Sequence, residues 1–220
     1  MFQTVTFDCY GTLIDWEGGF QATAQSILAG RLSPLPLEEL WREWRQIQTL
    51  KAQGPYKPYH KIIVESFEEA IHRLDLPVQP RDGERLALQF PTWKAFPDVL
   101  PALLQLKNKV PFFLISNTDD EILSNSILKI GTGFNGTMTA SRAKCYKPNL
   151  QIFRQAIETL QLDPAKNLHV ACGETTDLIP ARQAGFKTAW LRRDRDQHLS
   201  HFNPDFTLHG MDALAALVVP

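Results

Sequence analysis

Cysteine is scarce, at three in 220 residues. Cys9, Cys145 and Cys172 are odd in number and form no Cys-x-x-Cys pair, which excludes a disulfide framework or a zinc knuckle as the organising principle. Long hydrophobic runs are also missing, with no stretch near the ~18 apolar residues of a membrane span. The opening Met1-Phe2-Gln3-Thr4 lacks the basic start and apolar stretch of a signal peptide, so a soluble cytoplasmic protein with no membrane partner is expected. Nor is there an excess of one charge: 23 Lys+Arg stand against 24 Asp+Glu, a net charge of −1. Nucleic-acid binders rely on clustered positive charge, so no nucleic-acid partner is expected. Internal repeats and low-complexity tracts are absent.

What remains is an ordinary globular composition, 44% hydrophobic and 21% charged. A chain of this length buries roughly 70% of its unfolded surface, enough to need neither disulfide nor structural metal. Thr4 to Phe7 is a short β-rich run ending at Asp8, with Gly11-Thr12 after it. From about Asp15 to Phe96 the pattern is helical. Leu40, Trp41, Trp44 and Ile47 mark one helix over Leu37 to Leu50, and Ile62, Ile63, Phe67, Ala70, Ile71 and Leu74 mark another, with prolines between segments. Beyond Pro97, strands and helices alternate. Strands are expected at Val110 to Ile115, Gly136 to Ala140, Leu168 to Cys172, Lys187 to Leu191 and Phe206 to Leu208. Helices are expected at Val99 to Leu106 (with Asp98 as N-cap), Ile122 to Ile130, Asn149 to Leu160, Leu178 to Ala184 and Met211 to Val218. Continuous apolar strands point to a parallel sheet covered on both faces. The expected architecture is α/β: a doubly wound, Rossmann-like core from residues 1–14 and 97–220, with a helical insertion at 15–96.

Ligands of such sheets bind outside the carboxyl ends of the strands. Four strand or loop ends here are polar: Asp8-Cys9-Tyr10-Gly11-Thr12, Ser116-Asn117, Tyr146-Lys147-Pro148, and Cys172-Gly173-Glu174-Thr175-Thr176-Asp177. Singly each reads as a turn or helix cap; the four in this order are far more specific.

Together, Phe7-Asp8-Cys9-Tyr10-Gly11-Thr12-Leu13, Ser116-Asn117, Tyr146-Lys147-Pro148 and Asp177 resemble the four motifs of the haloacid dehalogenase-like hydrolases, most of all the type II (L-2-)haloacid dehalogenases. The resemblance spans nearly the whole chain and makes the helical insertion a cap domain. It implies a metal-free, cofactor-free hydrolysis of a small 2-haloalkanoic acid, with Asp8 as nucleophile, Lys147 offsetting negative charge, and Asp177 orienting Lys147 or the attacking water. It further implies that Ser116 and backbone N–H groups of the first loop, including Thr12, hold the substrate carboxylate, and that Asn117 completes a halide cradle. The family's cap arginine contacts the halide from an Arg-Gln setting; Trp44-Arg45-Gln46 matches it, favouring Arg45, with Trp41-Arg42 a competing match one turn earlier. A homodimer through helices is implied by resemblance as well.

Tyr10 is the discriminating position. The superfamily's phosphatases carry a second Asp there to protonate a leaving alkoxide. A tyrosine with an ordinary pKa near 10 is a poor replacement, whereas departing halide needs no proton. Two departures accompany it. The usual Ser-x-Asn-x-x-Asp of the last motif has Glu174 in place of asparagine, and a substrate-binding tyrosine is replaced by Phe153. Glu174 with Asp8 and Asp177 could assemble a Mg²⁺ site, so the alternative is a Mg²⁺-dependent phosphatase of a small phosphorylated metabolite. Opening of a strained ring acid by the same attack, or a non-catalytic binding protein on this scaffold, are further alternatives.

Among other segments, Gly54-Pro55-Tyr56-Lys57-Pro58-Tyr59-His60 reads as a pocket wall or a packed loop. Arg192-Arg193-Asp194-Arg195-Asp196 reads as a solvated loop and Cys172 as a small filler. His198, His201 and His209 lack the companions of a metal site.

Overall fold

The computed structural model describes residues 2–31, 34–193, 198–200 and 202–218. Thr4–Phe7 form β1, in which Val5 and Phe7 turn into the main apolar core and Thr4 and Thr6 turn to the other face. Four helices follow: α1 (Trp16–Leu28), α2 (Leu37–Gln53), α3 (Tyr59–Arg73) and α4 (Asp82–Gln89). Asp15 starts α1 by accepting the Gly18 N–H at 3.0 Å. The helices bury apolar stripes at helical spacing: Phe20, Ala24 and Ile27 on α1, Leu40, Trp41, Trp44 and Ile47 on α2. Where these stripes meet, Phe20 stacks on Trp44 with ring centroids 4.5 Å apart. The chain returns alongside its exit path. Asp15 N–H donates to Lys94 C=O and Phe96 N–H to Leu13 C=O, each at 2.9 Å.

The remainder alternates as α5 (Val99–Leu106), β2 (Phe112–Ser116), α6 (Asp120–Ile130), β3 (Gly136–Thr139), α7 (Ala140–Ala143), α8 (Leu150–Leu160), β4 (Asn167–Ala171), α9 (Ile179–Gln183), β5 (Lys187–Leu191), β6 (Phe206–Leu208) and α10 (Leu214–Val218). All strand pairs are parallel, in the order β3-β2-β1-β4-β5-β6. The direction of winding reverses between β1 and β4, so the ligand crevice opens at the carboxyl ends of those two strands. The architecture is thus α/β, doubly wound, with the helices of the insertion between β1 and β2. Among the described residues no helix is long and apolar enough to cross a membrane.

Several elements differ from expectation for physical reasons. β2 begins at Phe112, because Pro111 has no N–H for a ladder. The helix expected from Leu178 is preceded by a wide turn over Glu174–Leu178, in which Leu178 N–H reaches Gly173 C=O at 3.0 Å. The segment from Met211 starts with a 3₁₀ turn. Asp98 precedes α5 but does not cap it. Its carboxylate accepts two bonds from Arg193, each at 2.8 Å, and one from Met211 N–H at 2.9 Å.

Arg193 is accordingly no solvated loop residue; Asp194 to Asp196 of that segment lie outside the described residues. Its guanidinium also donates twice to Thr12 C=O, at 2.9 and 2.6 Å, and lies 4.2 Å over the Phe96 ring. It therefore ties the first loop to the start of α5. Arg193→Ala should cost about 1–3 kcal/mol, since it strands part-buried acceptors. Thermal melting should show a Tm several degrees lower, with Arg193→Lys recovering only part because an ammonium cannot form the fork. An unchanged Tm in the alanine variant would contradict this role.

Candidate active site

Asp8 lies one residue past β1, where its N–H still donates to Val170 C=O at 3.1 Å while its side chain leaves the sheet. Gly11 turns the loop back with φ +84°, and a Cβ there would meet Cys172 Sγ at 3.3 Å. The turn brings the Thr12 hydroxyl to Asp8 Oδ2 at 2.7 Å, and Thr12 Oγ1 itself accepts Cys172 N–H at 3.1 Å. The loops after β1 and β4 are thereby joined through one hydroxyl.

The Lys147 ammonium is buried among three acceptors: Asp8 Oδ1 at 2.7 Å, Asp177 Oδ1 at 2.5 Å and Ile115 C=O at 3.0 Å. All three of its N–H donors are engaged. Its backbone is clamped by Asn117, whose Oδ1 accepts Lys147 N–H at 2.7 Å and whose Nδ2 donates to Lys147 C=O at 3.1 Å. One N–H and the carbonyl of the Asn117 amide thus position the lysine loop, and its second N–H is left over for another acceptor. Asp177 accepts the Thr176 hydroxyl on Oδ2 at 2.7 Å and, on Oδ1, lies 3.4 Å from His169 Nε2.

The charges settle unequally. Burial pushes the Asp8 carboxyl up; Lys147 pulls it down and Asp177 pushes it up, leaving it above the usual carboxylate value. For Asp177 burial is again the largest effect, but Lys147 and then His169 overcome it and hold the carboxyl down to about 2. The two carboxylates raise Lys147 above its ordinary value despite its burial. Burial foremost, with Asp8 adding, pushes the Cys172 thiol up to about 12, so it stays protonated. The arrangement is one fixed cation, one inert carboxylate, and one carboxylate that keeps its basicity.

Other expected site residues are placed as follows. Ser116 is fully buried at the end of β2, and its hydroxyl has no protein partner among the described residues, so it can serve a ligand. The Tyr10 hydroxyl pairs with Ser126 Oγ at 2.7 Å and its ring packs on Phe90 at 4.6 Å. Burial holds that phenol well above its ordinary pKa, which removes it as an acid or base. Arg42 and Arg45 are both exposed, and Arg45 lies 5.8 Å over the Trp41 ring instead of against Asp8. Trp41 packs on Trp16, whose ring in turn borders Gly11 of the first loop.

The Glu174 carboxylate accepts Ser200 N–H at 2.7 Å and Ser200 Oγ at 3.2 Å. Among the described residues no three His, Cys, Asp or Glu side chains are grouped closely enough to hold a metal ion, so the Mg²⁺ site of the alternative reading is not assembled there. Phe153 is fully buried and packs edge-on to His169 at 5.5 Å. Two residues went unrecognised. His169 reads as a lone histidine in an apolar strand; its only signal is that it falls opposite Thr6, another polar residue in a buried strand. Tyr59 carries no signal in the sequence beyond its proline-rich segment. It is buried near enough to Asp8 for that charge, after burial and Tyr146, to raise its pKa. Asp119 accepts Tyr59 and His60 N–H at 3.0 and 2.9 Å, and Tyr146 OH donates to Lys57 C=O at 2.7 Å. These bonds dock the insertion on the loops of the core.

The family model described as haloacid dehalogenase-like hydrolase matches residues 2–185. The chain is 26% identical to (S)-2-haloacid dehalogenase 4A of Burkholderia cepacia over 217 residues, 96% of this chain and 91% of that protein. It is 26% identical over 219 residues to glyceraldehyde 3-phosphate phosphatase of Methanopyrus kandleri, covering 93% and 90%. In fold it is similar to L-2-haloacid dehalogenase of Xanthobacter autotrophicus, solved with chloropropionic acid covalently bound, at TM-score 0.86 and 21% identity over 99% of this chain and 98% of that one.

For any reaction begun by the Asp8 carboxylate, protonation removes the nucleophile, so activity is lost as pH falls through the Asp8 pKa. Because that pKa is raised, the acid limb of kcat/KM should lie above pH 3.8, and because Lys147 is raised it should give no alkaline limb below pH 10.5. An acid limb at or below 3.8, with the fold intact by circular dichroism, would contradict the unequal sharing of Lys147.

Proposed function

The chain belongs to the haloacid dehalogenase-like hydrolases, and from that footing we propose that it hydrolyses a small 2-haloalkanoic acid to the 2-hydroxy acid. The observation that carries the reading is the Asp8 carboxylate, buried, held by Thr12 and Lys147, and more basic than an ordinary aspartate. An oxygen of Asp8 attacks C2 of the substrate from the side opposite the halogen. The C–O bond forms as the carbon–halogen bond breaks, and halide leaves with the bonding pair. Water then adds to the Asp8 carbonyl, the ester C–O bond breaks, and the hydroxy acid departs with the carboxylate restored and one proton released.

The substrate carboxylate is proposed to lie against the Ser116 hydroxyl and the backbone N–H groups of the first loop. Lys147 offsets its charge and that of Asp8. Residues 15–96 form the cap that excludes water during the first step, and the exposed Arg42 and Arg45 of α2 add positive charge that helps draw in the anion. Asp177, pinned by three donors and held below the usual carboxylate value, anchors Lys147.

The phosphatase relative keeps one other reading in view, and Tyr10 separates the two. A phosphate ester needs an acid at that position, and a phenol raised by burial supplies none. Halide release from chloroacetate and L-2-chloropropionate should persist in excess EDTA and vanish in Asp8→Asn. Mg²⁺-dependent release of phosphate from p-nitrophenyl phosphate, with no halide release, would overturn the reading.

A further inference from the structure

Beneath Asp177, on the sheet face away from the main core, lies a line of buried polar residues that ends at the half-buried Thr4. Thr4 and Thr6 of β1 stand in register with Asn167 and His169 of β4. Thr4 Oγ1 donates to Asn167 Oδ1 at 2.8 Å, Asn167 Nδ2 donates to Thr6 Oγ1 at 2.9 Å, and Thr6 Oγ1 lies 2.9 Å from His169 Nδ1. His169 Nε2 reaches Asp177 Oδ1 at 3.4 Å. Thr6, Asn167 and His169 are completely buried. The rings of Phe153 and Phe186 pack on the imidazole at 5.5 and 6.3 Å.

The direction of these bonds follows from donor counting. An ionised Asp177 only accepts, so His169 Nε2 carries a proton. With Asn167 Oδ1 facing Thr4 and its Nδ2 donating to Thr6, the Thr6 proton is left for His169 Nδ1. Every buried group is then satisfied with a proton on Nε2 and the Thr6 hydroxyl facing Nδ1. The relay has one sense, from Thr4 to Asp177, and its last member bonds the oxygen that also holds Lys147.

We propose that His169 is a positioning residue of this active site: the β1–β4 polar seam fixes its tautomer and orientation, and its Nε2–H holds Asp177 so that Lys147 stays between the two carboxylates. The long 3.4 Å contact steadies the Asp177 oxygen without displacing the shorter bond from Lys147. Phe153 fits this role. The resembling dehalogenases carry a substrate-binding tyrosine there, whereas here an apolar ring seals the imidazole from water. The kinetic part of the inference rests on the dehalogenase reading; the tautomer does not.

Two measurements on the whole protein test it. In His169→Phe, halide release from L-2-chloropropionate should lose about tenfold or more in kcat with KM changed less than about twofold. His169→Gln, whose amide can donate to Asp177, should recover most of that loss. A phenylalanine variant with unchanged kcat, or a glutamine variant as impaired as phenylalanine, overturns the proposal whatever happens to Tm. Long-range ¹H–¹⁵N spectra at pH 8 should show the Nε2–H tautomer of His169, and Thr6→Val should disturb it. An Nδ1–H tautomer, or a pattern unaltered by Thr6→Val, overturns the seam's part even if no haloacid is turned over.

Discussion

One buried ammonium serves two carboxylates, and the site depends on how that single charge is divided. A buried ion is costly unless paired, and removing one partner of such a group leaves an uncompensated charge. Here Lys147 is compensated twice, by Asp8 and Asp177. Asp177 takes the larger share because Thr176 and His169 also hold it. Among the described residues the Asp8 carboxylate accepts from Lys147 and Thr12, and it remains the more basic of the pair. A carboxylate kept ionised but poorly stabilised is what nucleophilic attack requires. The inertness of Asp177 and the reactivity of Asp8 are two sides of one electrostatic arrangement.

The fold supplies this arrangement through the point where the sheet reverses its winding. β1 delivers Asp8 and β4 leads to Asp177, and these strands are direct neighbours. Lys147 comes from a loop outside both, so its position needs separate control. Asn117, just after β2, provides it with paired hydrogen bonds to the lysine backbone. Below the site the Thr4–His169 seam replaces apolar packing between the two central strands, and Arg193 fixes the first loop from the opposite direction. Several buried polar contacts thus converge on three side chains, as expected where geometry must be held within fractions of an ångström.

Much of this was readable in the sequence, and the unreadable parts share a cause. Parallel strands buried on both faces are continuous apolar runs, so β2, β4 and β5 are plain in the chain, and strand ends carrying polar motifs point to Asp8, Lys147 and Asp177. Residue type does not tell which partner a polar side chain chooses. Asn117 could face a ligand or a backbone, and Glu174 could face a cation or Ser200; only the folded chain decides. Periodicity puts Arg42 and Arg45 on α2 but cannot say how far that helix stands from Asp8. His169 and Arg193 sit in segments whose surroundings are made by residues distant in the chain, Thr6 for one and Thr12 and Asp98 for the other.

The central claim is that Asp8 itself, not water, attacks the substrate carbon. A single turnover with enzyme in excess over L-2-chloropropionate in H₂¹⁸O tests this most directly. The account predicts that the product hydroxyl carries unlabelled oxygen from Asp8, while mass spectrometry finds ¹⁸O in the peptide that contains Asp8. Label in the product hydroxyl with none in that peptide would mean that water attacks the carbon directly, and would contradict the account.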